Sequence, residues 1–363
     1  MLPELTNRIL EEWSNLFPEI SRPGSINYLG IPGSIEGGTT VFLAFTNEDK
    51  KPAFAVKIHR YHDAQDRALN ERDVLNYIQS HGGIVATSIP KLILCEKIAN
   101  VWTIVLSPIE GRPMFALMAN DGMPDLRSAA SNMRITANWL AQLHNIKQDS
   151  IIGISNLLKK DGIRNIEEFL RLFDLSKSEE KYVNELLDSI DIVISDRSFI
   201  KHGDFCRHNI LISKDSGEVK VRVVDWTDSK LIGFPLHDLF FFLTTYYLQI
   251  RKESGIKGFI KAFEDTFLNR TLYNKLIKEC ILDYCKMLYI NVLDVEKLFA
   301  IFLIERAIFE AHQVMKCLRR GSFPRFTIYM AEQEGLDNTQ VEKAQFWIHL
   351  FKTFFGRRDD FSV

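Results

Sequence analysis

An aspartate, an asparagine five residues on, and a second aspartate closing an apolar run are residue types that metal-assisted phosphoryl transfer needs. They stand here as Asp204, Asn209 and Asp225, within His202-Gly203-Asp204-Phe205-Cys206-Arg207-His208-Asn209 and Val221-Arg222-Val223-Val224-Asp225-Trp226. Oxygen ligands from Asn209 and Asp225 can hold Mg²⁺ on a nucleotide's phosphates, because that hard, hydrated ion takes few protein ligands and completes its shell with phosphate oxygens. Asp204 would orient a substrate hydroxyl and accept its proton.

The elements that must position these groups follow from periodicity. Helical spacing of Leu2, Leu5, Ile9, Leu10, Trp13 and Leu16 predicts an N-terminal amphipathic helix over 1–17. Glycines and prolines cluster over 22–38, a region read as turns around a loop. Strand patterns follow at 40–45 and 53–58, a helix at 63–80, and two further strands at 91–96 and 101–106 joined by a polar turn. Ser107-Pro108-Ile109-Glu110-Gly111-Arg112-Pro113 breaks the pattern, so one lobe is expected over 1–107 and a second over 108–363. The second reads as helical, with clear segments at 133–144 and 182–194. It is interrupted by a β-rich island at 210–213 and 219–225. The apolar run at 239–250 is too short to span a bilayer, which takes about 20 residues, and reads as a buried helix.

Bulk composition excludes more than it identifies. The chain has 363 residues, 46% hydrophobic and 25% charged, with a formal net charge of -2. That charge gives no electrostatic argument for nucleic acid or an anionic membrane. The five cysteines contain no Cys-x-x-Cys pair, which argues against a disulfide framework or zinc site and fits a reducing cytoplasm. No signal-peptide core opens the chain, no repeat runs through it, and the oligomeric state cannot be read from it.

The ordered set His202-Gly203-Asp204 with Asn209, Asp225-Trp226, Gly233-Phe234-Pro235-Leu236-His237-Asp238-Leu239 and Leu140-Ala141-Gln142-Leu143-His144 resembles the aminoglycoside phosphotransferase and choline kinase family. The resemblance covers roughly residues 30–243. It implies an α+β, two-lobed protein-kinase-like fold, with a small β-rich N-lobe and a larger, mainly helical C-lobe. Asp204 then looks like the catalytic base, and Asn209 and Asp225 like the magnesium ligands. His202 and Asp238 look like supports of the catalytic loop. Lys57, ending the run Ala53-Phe54-Ala55-Val56, resembles the strand lysine that holds nucleotide phosphates. Glu71, on the following helix, would pair with it. Residues 107–111 resemble the hinge that binds the purine edge through main chain.

Gly33, Gly37 and Gly38 lie where a phosphate-covering loop is expected, and glycines let backbone approach phosphates closely. The segment lacks the kinase Gly-x-Gly-x-x-Gly spacing and fails as a Walker A loop, since Thr39 stands where the lysine belongs. Cys206 occupies the place of a protein-kinase lysine, which favours a small-molecule kinase over a protein kinase. Arg207 reads equally as a phosphoryl contact or a surface arginine, and Asp228 as a solvated loop carboxylate or a second acid near the metal.

The expected activity is therefore Mg²⁺-dependent transfer of the γ-phosphate of ATP or GTP to a hydroxyl of a small molecule: a sugar, an amino alcohol or an aminoglycoside-like acceptor. The alternatives are a catalytically silent nucleotide-binding module and a protein kinase. Asp265, Asp283, Glu305 and Glu310 are acidic candidates on the acceptor side. Arg251, Lys252, Lys257, Lys286, Arg306, Arg319 and Arg320 in the same segment give no support to a polycationic substrate. Phe240-Phe241-Phe242 and Tyr246-Tyr247 point in several directions on a helix, so they read as core packing before a cage for choline.

Overall fold

Side-chain alternation along the strand Phe54–His59 explains the architecture around Lys57. Phe54, Val56 and Ile58 face a buried cluster with Leu5, Ile9, Trp13 and Phe17, while Lys57 and His59 take the opposite face. The structure, a computed structural model, describes residues 1–31, 38–46, 50–60, 65–118, 125–147, 154–190, 198–215, 218–248, 255–319 and 345–361. It is mixed α+β, with a β-sheet N-terminal region and a helical C-terminal region. Two compact units divide it: Met1–Pro113 with Asn209–Leu231, and Met114–His208 with Ile232–Val363.

In the first unit, helices α1 (Leu2–Glu11) and α2 (Trp13–Leu16) precede the strands β1 (Ile26–Ile31), β2 (Thr39–Thr46) and β3 (Phe54–His59). Helix α3 (Gln65–His81) then leads to β4 (Leu92–Ile98) and β5 (Val101–Leu106). These strands form one antiparallel sheet in the order β1-β2-β3-β5-β4, so β3 lies at its centre. Lys57 pairs in register with Val41 on one side and Ile104 on the other. Ala99 and Asn100, at φ 49° and 63°, form the left-handed turn that joins β4 to β5.

Two readings need correction here. The N-terminal helix is broken at Glu12, where φ is -105° and ψ 18°. The bend lets Trp13 donate from Nε1 to the Ile20 carbonyl at 2.8 Å. The region 22–38, expected as loop, contains strand β1. Tyr28 and neighbouring residues pair only on their β2 side, so the strand is an exposed sheet edge without a clean buried alternation.

The segment Asn209–Leu231 joins this unit through the hairpin Ile210–Asp215 and Glu218–Val223, to which the short strand Arg112–Pro113 is added. Gly111 allows that approach, since a Cβ there would lie 2.9 Å from Leu211 Cβ. The strand expected to reach Asp225 stops at Val223, and Asp225 turns off at φ 64°.

In the second unit the helices are well capped. Asp125 accepts from the Ser128 N–H at the start of Leu126–His144, and Ser176 with Glu179 forms a capping box for Lys177–Asp188. The latter was expected over 182–194; it starts earlier, at its cap, and residues 191–197 lie outside the described set. Phe240, Phe242 and Tyr246 on His237–Leu248 are fully buried, and Phe240 packs on Phe299 and Phe302 of the long helix Val295–Arg319. These aromatics are core. Among the described residues no helix is long and apolar enough to cross a membrane.

Glu310, on Val295–Arg319, is buried and accepts the Trp347 N–H at 2.8 Å at the start of the helix Phe346–Gly356. Burial pushes its carboxyl up to about 7, against the pull of the Phe346 and Trp347 N–H groups and of Arg306. The folded protein therefore holds this proton more tightly than the unfolded chain. The associated stability is present below roughly pH 4 and disappears as pH rises through about 7, by on the order of 3 kcal/mol. Glu310→Gln keeps an acceptor for Trp347 and removes the titration. Urea midpoints measured from pH 4 to 8 should be flatter in that variant and higher than wild type at pH 8.

Candidate active site

Lys57 reaches its surroundings from a central strand, so its stem is held by neighbours on both sides and its ammonium lies away from solvent. The residue is 5% exposed. Its Nζ donates to Glu71 Oε1 at 2.6 Å, to Asp225 Oδ1 at 2.8 Å and to Thr227 Oγ1 at 2.8 Å. An ammonium has three N–H donors, so these contacts use its full capacity. Burial works against the charge, but Asp225 and then Glu71 outweigh it and hold Lys57 above the ordinary lysine value. Burial also pushes the fully buried Glu71 carboxyl upward, the desolvation cost that the ion pair offsets.

Asp225 is the open member of this cluster, its side chain 48% exposed. Its left-handed backbone is one that aspartate tolerates better than most residues, and it ends the hairpin strand where the carboxylate meets Lys57. The Val224 N–H donates to the Asn209 carbonyl at 3.0 Å, so Asn209 and Asp225 belong to adjacent backbone segments of the same unit. Among the described residues no group of three or more His, Cys, Asp or Glu is arranged to hold a metal unaided. Asn209 and Asp225 carry the oxygen donors that a hard Mg²⁺ accepts, and the Asp225 side chain is half-open.

Thr227 carries no periodic or motif signal and was missed in the sequence. It is buried, and its hydroxyl lies 2.7 Å from Asp225 Oδ1 and 3.3 Å from Glu71 Oε2, besides accepting from Lys57. Asp228, read as a solvated or metal-side acid, pairs instead with Arg67 at 2.9 Å. His59 sits beyond Lys57 on the same strand face; burial, then Lys57 and Arg67, press its imidazole down to about 3, so it is neutral. Of the phosphate-loop glycines, Gly38 has a left-handed φ of 68° and accepts the Arg60 N–H through its carbonyl. Gly33 and Gly37 lie outside the described residues.

In the second unit Asp238 organises the loop that carries Asp204. The His202 and Gly203 N–H groups donate to its two carboxylate oxygens at 2.6 and 2.9 Å. Burial opposes its charge, yet the imidazoles of His144 and His237, at 3.9 and 3.6 Å, help hold it well below the usual carboxylate range. His202 is buried, and its Nδ1 accepts the Asp204 N–H at 3.3 Å. Gly203, at φ 83°, makes the turn that a side chain would strain. Asp238→Ala would strand two buried N–H donors, each costing about 1–3 kcal/mol. Thermal melts should show a large drop in Tm and, in hydrogen exchange, early opening at residues 202–204.

Several other expectations resolve locally. Cys206 is buried with Sγ 4.0 Å from His208 Nδ1, and the five cysteines, all among the described residues, form no disulfide. Arg207 is not a surface residue: it is 7% exposed and donates to the Tyr246 carbonyl at 3.4 Å. Glu305 is bound by Lys201 at 2.9 Å and His237 at 3.1 Å, and Glu310 by the Trp347 N–H, so both serve the helical framework. Asp265 accepts from Asn269 and Asp283 from Lys286, at 2.7 and 3.2 Å.

The chain is similar in structure to the aminoglycoside phosphotransferase APH(3'')-Id of Streptomyces rimosus, at 13% identity and a TM-score of 0.45, covering 82% of this chain and 96% of that one. It is similar to a choline kinase of Cryptosporidium parvum, at 15% identity and a TM-score of 0.48, covering 97% and 98%. It is also similar to the enzyme in a streptomycin–ATP–APH(2")-IIa ternary complex, at 14% and 0.46, covering 92% and 97%. No curated protein matches the sequence. The family model described as the phosphotransferase enzyme family matches residues 36–271, more than half of the chain and a span that includes Lys57, Glu71, Asp204, Asn209, Asp225 and Asp238. The chain belongs to that phosphotransferase family.

Proposed function

We propose that this protein moves the γ-phosphate of ATP or GTP to a hydroxyl of a small molecule in a Mg²⁺-dependent reaction. The observation that carries the reading is the buried Lys57 ammonium, held by Glu71 and by the half-open Asp225. A cation fixed at the edge of an acidic, oxygen-lined cluster suits a nucleotide's phosphates. Lys57 would bind and orient those phosphates, with Glu71 setting its direction. Asn209 and Asp225 would hold the cation, which when bound neutralises charge on the phosphate oxygens. The backbone around Gly33, Gly37 and Gly38 would cover the phosphates. Asp204 would align the acceptor hydroxyl and take its proton, supported by His202 and Asp238. In this reading residues 1–107 form the nucleotide-binding lobe and 108–363 the catalytic and acceptor lobe, and cysteines outside disulfides fit a cytoplasmic enzyme.

Catalysis would come from positioning and electrostatic stabilisation, with no covalent enzyme intermediate. The acceptor is a small hydroxylated metabolite. Of the acidic candidates on the acceptor side, Glu305 is engaged by Lys201 and Glu310 by the Trp347 N–H. The test is consumption of ATP or GTP by purified protein across sugars, amino alcohols and aminoglycosides, with and without Mg²⁺. Acceptor-dependent consumption that needs Mg²⁺ is expected. Nucleotide binding with no transfer to any acceptor or to water would instead leave a binding module.

A further inference from the structure

We infer that Thr227 is a positioning residue of the nucleotide site, whose hydroxyl keeps Asp225 aimed when Lys57 turns to phosphate. The inference rests on the nucleotide reading above. Lys57 Nζ spends its three N–H donors on Glu71, Asp225 and Thr227, so contact with a phosphate requires one of those bonds to be exchanged. Glu71 and Thr227 are buried, whereas Asp225 is half-exposed, so the Asp225 bond is the one nearest to solvent. Once it is given up, Asp225 loses its link to a rigid strand. The Thr227 hydroxyl, 2.7 Å from the same Oδ1, still holds that oxygen.

Thr227 is itself fixed from α3. Arg67 and Glu71 lie one turn apart on that helix, and they meet successive residues: Asp228 at 2.9 Å and Thr227 at 3.3 Å. The Arg67–Asp228 ion pair therefore ties the turn after Asp225 to α3, and Glu71 lies beside the Thr227 hydroxyl. Its single proton has two carboxylate acceptors. The shorter contact assigns it to Asp225, with Glu71 as the second acceptor. Valine has the same shape as threonine but supplies neither the donor for Asp225 nor the acceptor for Lys57.

The experiment is isothermal titration of wild type, Thr227→Val and Thr227→Ser with ATP and GTP, each with and without Mg²⁺, alongside thermal melts. Thr227→Val should bind the magnesium nucleotide about tenfold more weakly, the loss of one hydrogen bond to a charged group, and the metal-free nucleotide within about twofold of wild type. Thr227→Ser should return to within about twofold of wild type in both. Thr227→Ala carries the same expectation as valine should the valine protein not fold. Wild-type affinity in Thr227→Val, equal weakening with and without Mg²⁺, or a serine variant as weak as valine each overturns the inference alone. Failure of the wild type to bind either nucleotide overturns the nucleotide reading and the inference together.

Discussion

Asp204→Ala should lower phosphoryl transfer by about 10²–10⁴-fold, the range associated with loss of a positioned general base, while nucleotide affinity changes little. Transfer to an alcohol begins with a poor nucleophile, so the carboxylate acts mainly by aligning the hydroxyl and taking up its proton as bonding to phosphorus develops. The loop is built to hold that residue. Asp238 takes the N–H groups of His202 and Gly203, and His202 accepts the N–H of Asp204 itself. These three contacts hold the loop through its backbone, and a thermal melt of the variant checks that the fold is kept. Single-turnover transfer to an acceptor found in the panel, with nucleotide titration in parallel, reads both quantities. Unchanged turnover would remove Asp204 from the mechanism.

Lys57→Met should act on nucleotide binding and on stability at once. Removing the ammonium leaves Glu71, 0% exposed, as a buried carboxylate without its cation, and breaking one side of a buried pair typically costs about 3–5 kcal/mol. The two effects separate in a double variant. Lys57→Met with Glu71→Gln no longer buries an uncompensated charge, so most of the lost Tm should return. Affinity for the magnesium nucleotide should not return, because no lysine ammonium then faces the phosphates. Recovery of binding together with stability would show that Lys57 serves the fold alone. Since Lys57 is held above its ordinary value, its contribution to stability is complete at neutral pH and fades only on strong alkalinisation.

Some of this was legible before any coordinates, because the informative residues sit close together in the chain. Asp204 and Asn209 share one loop, and Asp225 closes the strand run that follows, so their spacing suggested a metal–phosphate site and the family resemblance sharpened it to phosphoryl transfer. The same locality made β2, β3, β4 and β5 readable, each with an apolar run bounded by turn residues. Strand β1 was not readable, since it is an exposed edge beside glycines and prolines and its pattern lacks a buried face. The break at Glu12 was hidden because Leu2 to Leu16 keep helical spacing through it.

What the sequence by itself determined was a reaction family and a division into strand-rich and helical parts, both set by local pattern and short spacing. What only the tertiary structure decided was which groups meet. Thr227 stands 156 residues from Glu71 and 170 from Lys57, and no periodicity joins them. Arg67 pairs with Asp228, and Lys201 and His237 with Glu305. Such pairings depend on where a central strand, a helix and a hairpin come together. Hydrogen bonds and ion pairs form across distance in space, and only the packed chain sets that distance.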